Sequence, residues 1–161
     1  MSEVAISFTL NGKPQSLAVA PNLVLADLLR ERFGLTGCKV GCDEGVCGAC
    51  TVLIDEVPVA ACARFAFSAD GRVVTTIEGL SRGETLDRVQ AAFLAAGALQ
   101  CGFCTPGMIL SVVALLARVP DPDEATIRDW LGGNICRCTG YKSIVDAIRL
   151  AARAEPAEAR R

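Results

Sequence analysis

Val4, Ile6, Phe8 and Leu10 alternate with small or polar residues. That is the two-residue period of a strand with one face buried. The turn signal "NGK" follows, and a second strand from Gln15 to Val19 completes a hairpin. The period then changes. Leu25, Leu28, Leu29 and Phe33 recur at helical spacing, with Gly34 as the stop. "TVLI" (51–54) and "RVVTTI" (72–77) return to strand character, divided by the turn-like "DEVP". After Gly79 the pattern is helical. Leu86, Val89, Gln90 and Phe93 mark a helix through about Ala98. "TPGMILSVVALLARV" carries Thr105 as the expected N-cap and Pro106 at the first helical position. "DPDE" repeats the device, with Asp121 as cap, Pro122 opening the helix and Glu124 where a capping-box acid belongs. A last helix is predicted from about Tyr141 to Arg153, and "AEPAEARR" reads as a frayed tail. The predicted fold class is α+β in two small domains. Residues 1–80 are β-rich with one packed helix, and residues 81–161 form a four-helix bundle. Leu110, Val113 and Leu116 are expected in the helical core, with the excess apolar face left for a subunit interface.

Composition narrows the function. Apolar residues make up 52% of 161 positions, enough for packed cores. The formal charge is −2 and the longest run of basic residues is Arg160–Arg161, which argues against nucleic acid. No apolar run reaches the roughly 18 residues of a membrane span. The start "MSEVAISFTLNG" lacks the basic-then-apolar pattern of an export signal, so a cytoplasmic location is expected. Thiols stay reduced there, and nine cysteines then point to metal rather than to disulfides.

The cysteines fall into two sets. "GCKVGCDEGVCGAC" holds Cys42, Cys47 and Cys50 at C-x4-C-x2-C spacing, with Cys62 further on. This is the spacing of plant-type [2Fe–2S] ferredoxins. Gly41, Gly45 and Gly48 allow the loop to turn tightly and to bring N–H groups close to sulfur. Cys38 breaks the spacing and is expected to be a small buried residue beside the site. A four-cysteine zinc site would pair two C-x2-C-like knuckles, and only Cys47–Cys50 has that form.

"QCGFCTPG" supplies Cys101 and Cys104, and "GNICRCTGY" supplies Cys136 and Cys138. Cys104 precedes one predicted helix start, and Cys138 another at Thr139–Tyr141. Helix N-termini favour negative charge, so two of them facing one anionic cluster predict a second [2Fe–2S] centre held between helices. A thioredoxin-like pair at Cys101–Cys104 would need a βαβ context, and would leave Cys136 and Cys138 unused. The chain contains no histidine, so neither set is a Rieske centre and the commonest general base is lacking. No P-loop, dinucleotide fingerprint or Ser/His/Asp set is present, which leaves substrate chemistry to another subunit.

"GCDEGVCGACTV", "QCGFCTPGM" and "NICRCTGY", in this order, resemble the iron–sulfur subunit of the xanthine oxidase family of molybdenum hydroxylases over about residues 4–153. The resemblance implies a ferredoxin-like β-grasp domain followed by a four-helix bundle. It implies that Cys42, Cys47, Cys50 and Cys62 hold an outer [2Fe–2S] cluster nearer the FAD of a medium subunit. Cys101, Cys104, Cys136 and Cys138 would hold an inner one near the molybdopterin cofactor of a large subunit. Gln100 would hydrogen-bond the pterin, with Cys138 the ligand closest to it. Electrons would pass from molybdenum through both clusters to flavin during oxidation of an aldehyde, purine or other N-heteroaromatic compound, in a heterotrimer that dimerises in some arrangements. The alternative is the equivalent subunit of an aerobic carbon monoxide dehydrogenase or of a 4-hydroxybenzoyl-CoA reductase, which the chain resembles equally well. A free-standing ferredoxin and a zinc-stabilised interaction module are the rival classes.

Overall fold

The computed structural model describes residues 2–154; positions 155–161 of the expected tail, Arg160–Arg161 included, lie outside the described residues. The N-terminal half is built on a five-stranded sheet of order β2-β1-β5-β3-β4. Strands β1 (Val4–Leu10) and β2 (Lys13–Val19) pair antiparallel through an Asn11–Gly12 turn, both residues at positive φ. Asn-Gly is the pair such a hairpin favours. β1 then runs parallel to β5 (Val73–Thr75) at the centre of the sheet. β5 pairs antiparallel with β3 (Thr51–Ile54), and β3 with β4 (Val57–Ala60).

The pattern of apolar residues missed β4. "DEVP" is a two-residue turn at Asp55–Glu56, both left-handed, and the chain re-enters the sheet at once. β4 is an edge strand, which is where Pro58 is tolerated despite its missing donor. The first helix also differs from expectation. It is α-helical only over α1 (Leu25–Asp27) and then winds as a π-helix over Leu28–Arg32. This brings Leu25, Leu28 and Leu29 to complete burial against Ile6, Phe8, Val52 and Val74. Burying a leucine contributes about 1.5–3 kcal/mol, which holds the wider winding in place.

Among the described residues, the C-terminal half has four α-helices: α2 (Arg88–Ala95), α3 (Thr105–Arg118), α4 (Glu124–Trp130) and α5 (Lys142–Arg153). Phe93, Met108, Leu115, Ile127, Ile144 and Ile148 form their shared core. Three helix starts move from their expected places. α2 begins later than Leu86, because Asp87 and Gln90 form a capping box. α4 is capped by Asp123, whose carboxylate accepts the Thr126 N–H at 2.8 Å, not by Asp121. α3 starts at Thr105 itself, with Cys104 as its cap residue.

The two halves are joined by more than the chain. Leu53 of β3 packs with Leu110 and Ala114 of α3 in a third small core. Among the described residues, no helix is long and apolar enough to cross a membrane.

Candidate functional site

The segment 42–50 has no regular structure and ends on β3. Its path is fixed by main-chain contacts to sulfur. Cys42 Sγ accepts N–H groups of Glu44 and Cys47, both at 3.4 Å. These amides, Cys47's first, draw the Cys42 thiol down to about 6. Cys50 Sγ accepts the Cys62 N–H at 3.5 Å. Cys50 and Cys62 are buried, and burial, followed by the Cys50 sulfur, pushes the Cys62 thiol up to about 11. The four sulfurs thus stand as two pairs, Cys42 with Cys47 and Cys50 with Cys62.

Cys38 is 3% exposed and lies beside this set. Its thiol reaches the Cys50 carbonyl at 3.6 Å, and Arg30 Nη1 donates to the Cys38 carbonyl at 2.8 Å. Burial pushes this thiol up to about 12. Cys38 therefore buttresses the backbone at Cys50.

The second set is assembled from two distant segments. Cys101 and Cys138 are exposed, and their sulfurs lie 3.6 Å apart. Cys104 and Cys136 make the other pair, further inside. Burial, then the neighbouring Cys136 sulfur, pushes the Cys104 thiol up to about 12. At Cys136 burial pulls the same way, but hydrogen bonds from the Thr139 hydroxyl and from nearby amides outweigh it and lower the thiol. One expectation fails here. Cys104 does cap α3, but α5 begins only at Lys142, so Cys138 does not sit at a helix start. Thr139 and Gly140 form a loop in place of a helical turn, and Tyr141 ends it in the left-handed conformation, φ 68°.

Among the described residues, no three ligand-type side chains converge as one metal ion would require. Each set is two pairs of thiols. Two thiolates on each of two irons is what a [2Fe–2S] cluster needs, so the donors fit that group better than a single zinc ion. Gln100, next to Cys101, is exposed at the open edge of the second set.

The two sets meet through main chain. The Ile135 N–H donates to the Cys47 carbonyl at 2.9 Å. Next to it, Asn134 Nδ2 donates to the Gly48 carbonyl at 3.0 Å and to Thr51 Oγ1 at 3.3 Å. Gly48 has φ 70°, and a Cβ there would collide with the Gly133 carbonyl oxygen. Gly107, in the first turn of α3, is equally confined, since its Cβ would collide with the Gly48 carbonyl oxygen. Asn134 and Gly107 were not singled out from the sequence, and Thr139 and Tyr141 only as a helix start. Their one-dimensional signal is adjacency to cysteine, which does not reveal a partner many residues away.

Comparison with known proteins agrees with this geometry. Residues 8–73 match the family described as "2Fe-2S iron-sulfur cluster binding domain", and residues 76–149 the "[2Fe-2S] binding domain" family. The nicotinate dehydrogenase small FeS subunit of Eubacterium barkeri is 48% identical over 151 residues, which covers 94% of this chain and 96% of that protein. The xanthine dehydrogenase iron-sulfur-binding subunit of Escherichia coli O157:H7 is 45% identical, covering 90% of this chain and 92% of that one. The crystal structure of quinoline 2-oxidoreductase from Pseudomonas putida 86 contains a chain of 49% identity. It superposes with a TM-score of 0.90 over 93% of this chain and 94% of that one. Two cluster-binding families placed end to end, with near full-length identity to such subunits, make one assignment: the chain belongs to the iron–sulfur subunits of the xanthine oxidase family of molybdenum hydroxylases.

Proposed function

We propose that Cys42, Cys47, Cys50 and Cys62 hold one [2Fe–2S] cluster, that Cys101, Cys104, Cys136 and Cys138 hold a second, and that the chain is the electron-relay subunit of a molybdenum hydroxylase. The carrying observation is that eight of the nine cysteines resolve into two sets of paired sulfurs, bridged by the Ile135 N–H···O=C Cys47 hydrogen bond. Each cluster, when bound, takes up and releases one electron at a time. The protein's own residues do the rest. The amides of Glu44 and Cys47 stabilise negative charge on Cys42 sulfur, and buried Cys50 and Cys62 keep water from one side of the first set. Oxidation of the substrate falls to a partner subunit.

The finer reading follows the layout. The helical half, residues 81–161, is the family's four-helix bundle, and residues 1–80 its ferredoxin-like β-grasp domain. The exposed Cys101–Cys138 edge, with Gln100 beside it, faces the pterin of a large subunit. The first set faces an FAD-carrying medium subunit, and the trimer pairs into a larger assembly in the cytoplasm. The relatives' names include nicotinate, xanthine, quinoline and aldehyde, which keeps N-heteroaromatic compounds and aldehydes together as the candidate substrates.

The test is iron and acid-labile sulfide analysis of the purified complex, with EPR after reduction. The two-cluster count gives about four irons per chain and two distinct signals. Cys47→Ser abolishes one signal and spares the other. Zinc in place of iron, or loss of both signals together, overturns the reading.

A further inference from the structure

Tyr141 adopts a backbone conformation that L residues rarely take, φ 68°, at the start of α5. A glycine would sit there without strain, and Gly140 is its neighbour, so the tyrosine is held by what it touches. Its phenolic oxygen accepts the Cys136 N–H at 2.8 Å and donates to the Asn134 carbonyl at 3.0 Å. Its own N–H turns back to Thr139 Oγ1 at 3.2 Å. Thr139 Oγ1 in turn lies 3.1 Å from Cys136 Sγ.

The order of these contacts fixes the direction of the last one. The Tyr141 N–H is a donor only, so Thr139 Oγ1 accepts there and keeps its own proton to give elsewhere. A thiolate is an acceptor only. The hydroxyl proton therefore points at Cys136 sulfur. Left-handed Tyr141 is what makes this relay, because its N–H faces back into the loop while its ring reaches over to Asn134 and Cys136.

We infer that Thr139, oriented by Tyr141, sets the reduction potential of the second cluster by donating a hydrogen bond to Cys136 sulfur. This rests on the proposed reading, in which Cys136 is a cluster ligand. Reduction adds one electron and breaks no bond, and no proton moves. The added charge is shared with the sulfurs, so a donor stabilises the reduced form more than the oxidised form and raises the potential. The Cys101–Cys138 pair lies at the exposed edge and the Cys104–Cys136 pair further inside. The donor thus acts on the inner of the two sulfur pairs. Thr139 is a positioning residue in this scheme, acting through sulfur.

The experiment is an EPR-monitored redox titration of the purified complex, comparing Thr139→Val, Thr139→Ala and Thr139→Ser with the native enzyme. Valine and alanine are expected to shift the second cluster's reduction equilibrium about tenfold toward the oxidised form, which is 59 mV for one electron. The first cluster stays at its native potential, and serine restores the second to near native. Native potentials in the valine and alanine variants overturn the inference. So does loss of the second signal in both, because Thr139 would then hold the cluster rather than tune it. Cys136→Ala separates this from the underlying reading: it should abolish the second signal, and survival of that signal sinks the ligand assignment itself.

Discussion

The two sulfur sets are built by different means. The first comes from one stretch, residues 42–62, and its sulfurs accept main-chain N–H groups of Glu44, Cys47 and Cys62. The second draws residue 101 and residue 138 together from separate loops, and Cys136 receives the Thr139 side-chain hydroxyl in addition to nearby amides. A site donated to by amides has its surroundings written into the loop's path. Any change in those donors must move backbone. The second set adds a hydroxyl to its amide donors, and that one donor can be removed by a single substitution without moving the chain. The comparison also separates burial: Cys50 and Cys62 are buried in the first set, whereas Cys101 and Cys138 are open in the second. The first set is the more enclosed and the second keeps an open edge.

Three perturbations bear on this contrast, in falling order of effect. Gly48→Ala strikes where the halves touch. It forces a Cβ into the Gly133 carbonyl and a non-glycine residue into φ 70°. Left-handed strain and overpacking together cost about 3 kcal/mol, read by denaturant titration. The magnetic coupling between the two EPR signals should weaken in the same variant. Unchanged stability and coupling would mean that the halves are not in contact here. Asn134→Ala removes the donor to the Gly48 carbonyl and to Thr51 Oγ1 from a buried position. The Gly48 carbonyl keeps its hydrogen bonds from the Thr51 N–H and hydroxyl, so the loss of the buried amide's own bonds costs about 1 kcal/mol, and the same titration measures it.

The smallest effect is at Cys38. Cys38→Ser should leave both EPR signals in place, and loss of either shows that the first set has been assigned in the wrong register. Its pH dependence is specific. The folded thiol is pushed up to about 12 from an ordinary 9.0. The native state therefore keeps a proton that the unfolded chain gives up. That stabilisation is complete below about 9 and declines as pH rises toward 12. Serine removes this alkaline slope, and denaturation measured across that range reads it.

The contrast also explains what was legible in the sequence. Cys42, Cys47 and Cys50 were readable because a single loop needs fixed spacing. The C-x2-C and C-x-C pairs pointed to a second set for the same local reason. Helix starts were misplaced by one or two residues where two candidates compete. Asp121 and Asp123 flank one proline, and only the extended backbone at Asp123 aims a carboxylate at Thr126. β4 was hidden because Pro58 reads as a turn residue until its place at the sheet edge is known. The start of α5 was misread because nothing in a sequence marks a tyrosine as left-handed. The contacts between the halves, at Gly48, Gly107, Asn134 and Ile135, lay furthest from view. They pair residues tens of positions apart, and no periodicity carries that information.

The bridge between Ile135 and Cys47 uses an amide and a carbonyl and nothing else. The isoleucine side chain, 41% exposed, takes no part in it. Position 135 is thus free to drift toward whatever neighbour lies against it, with the junction passed on unaltered by every amino acid but one. Proline, which lacks the N–H, is the single replacement that would cut the connection while leaving every thiol in the chain intact.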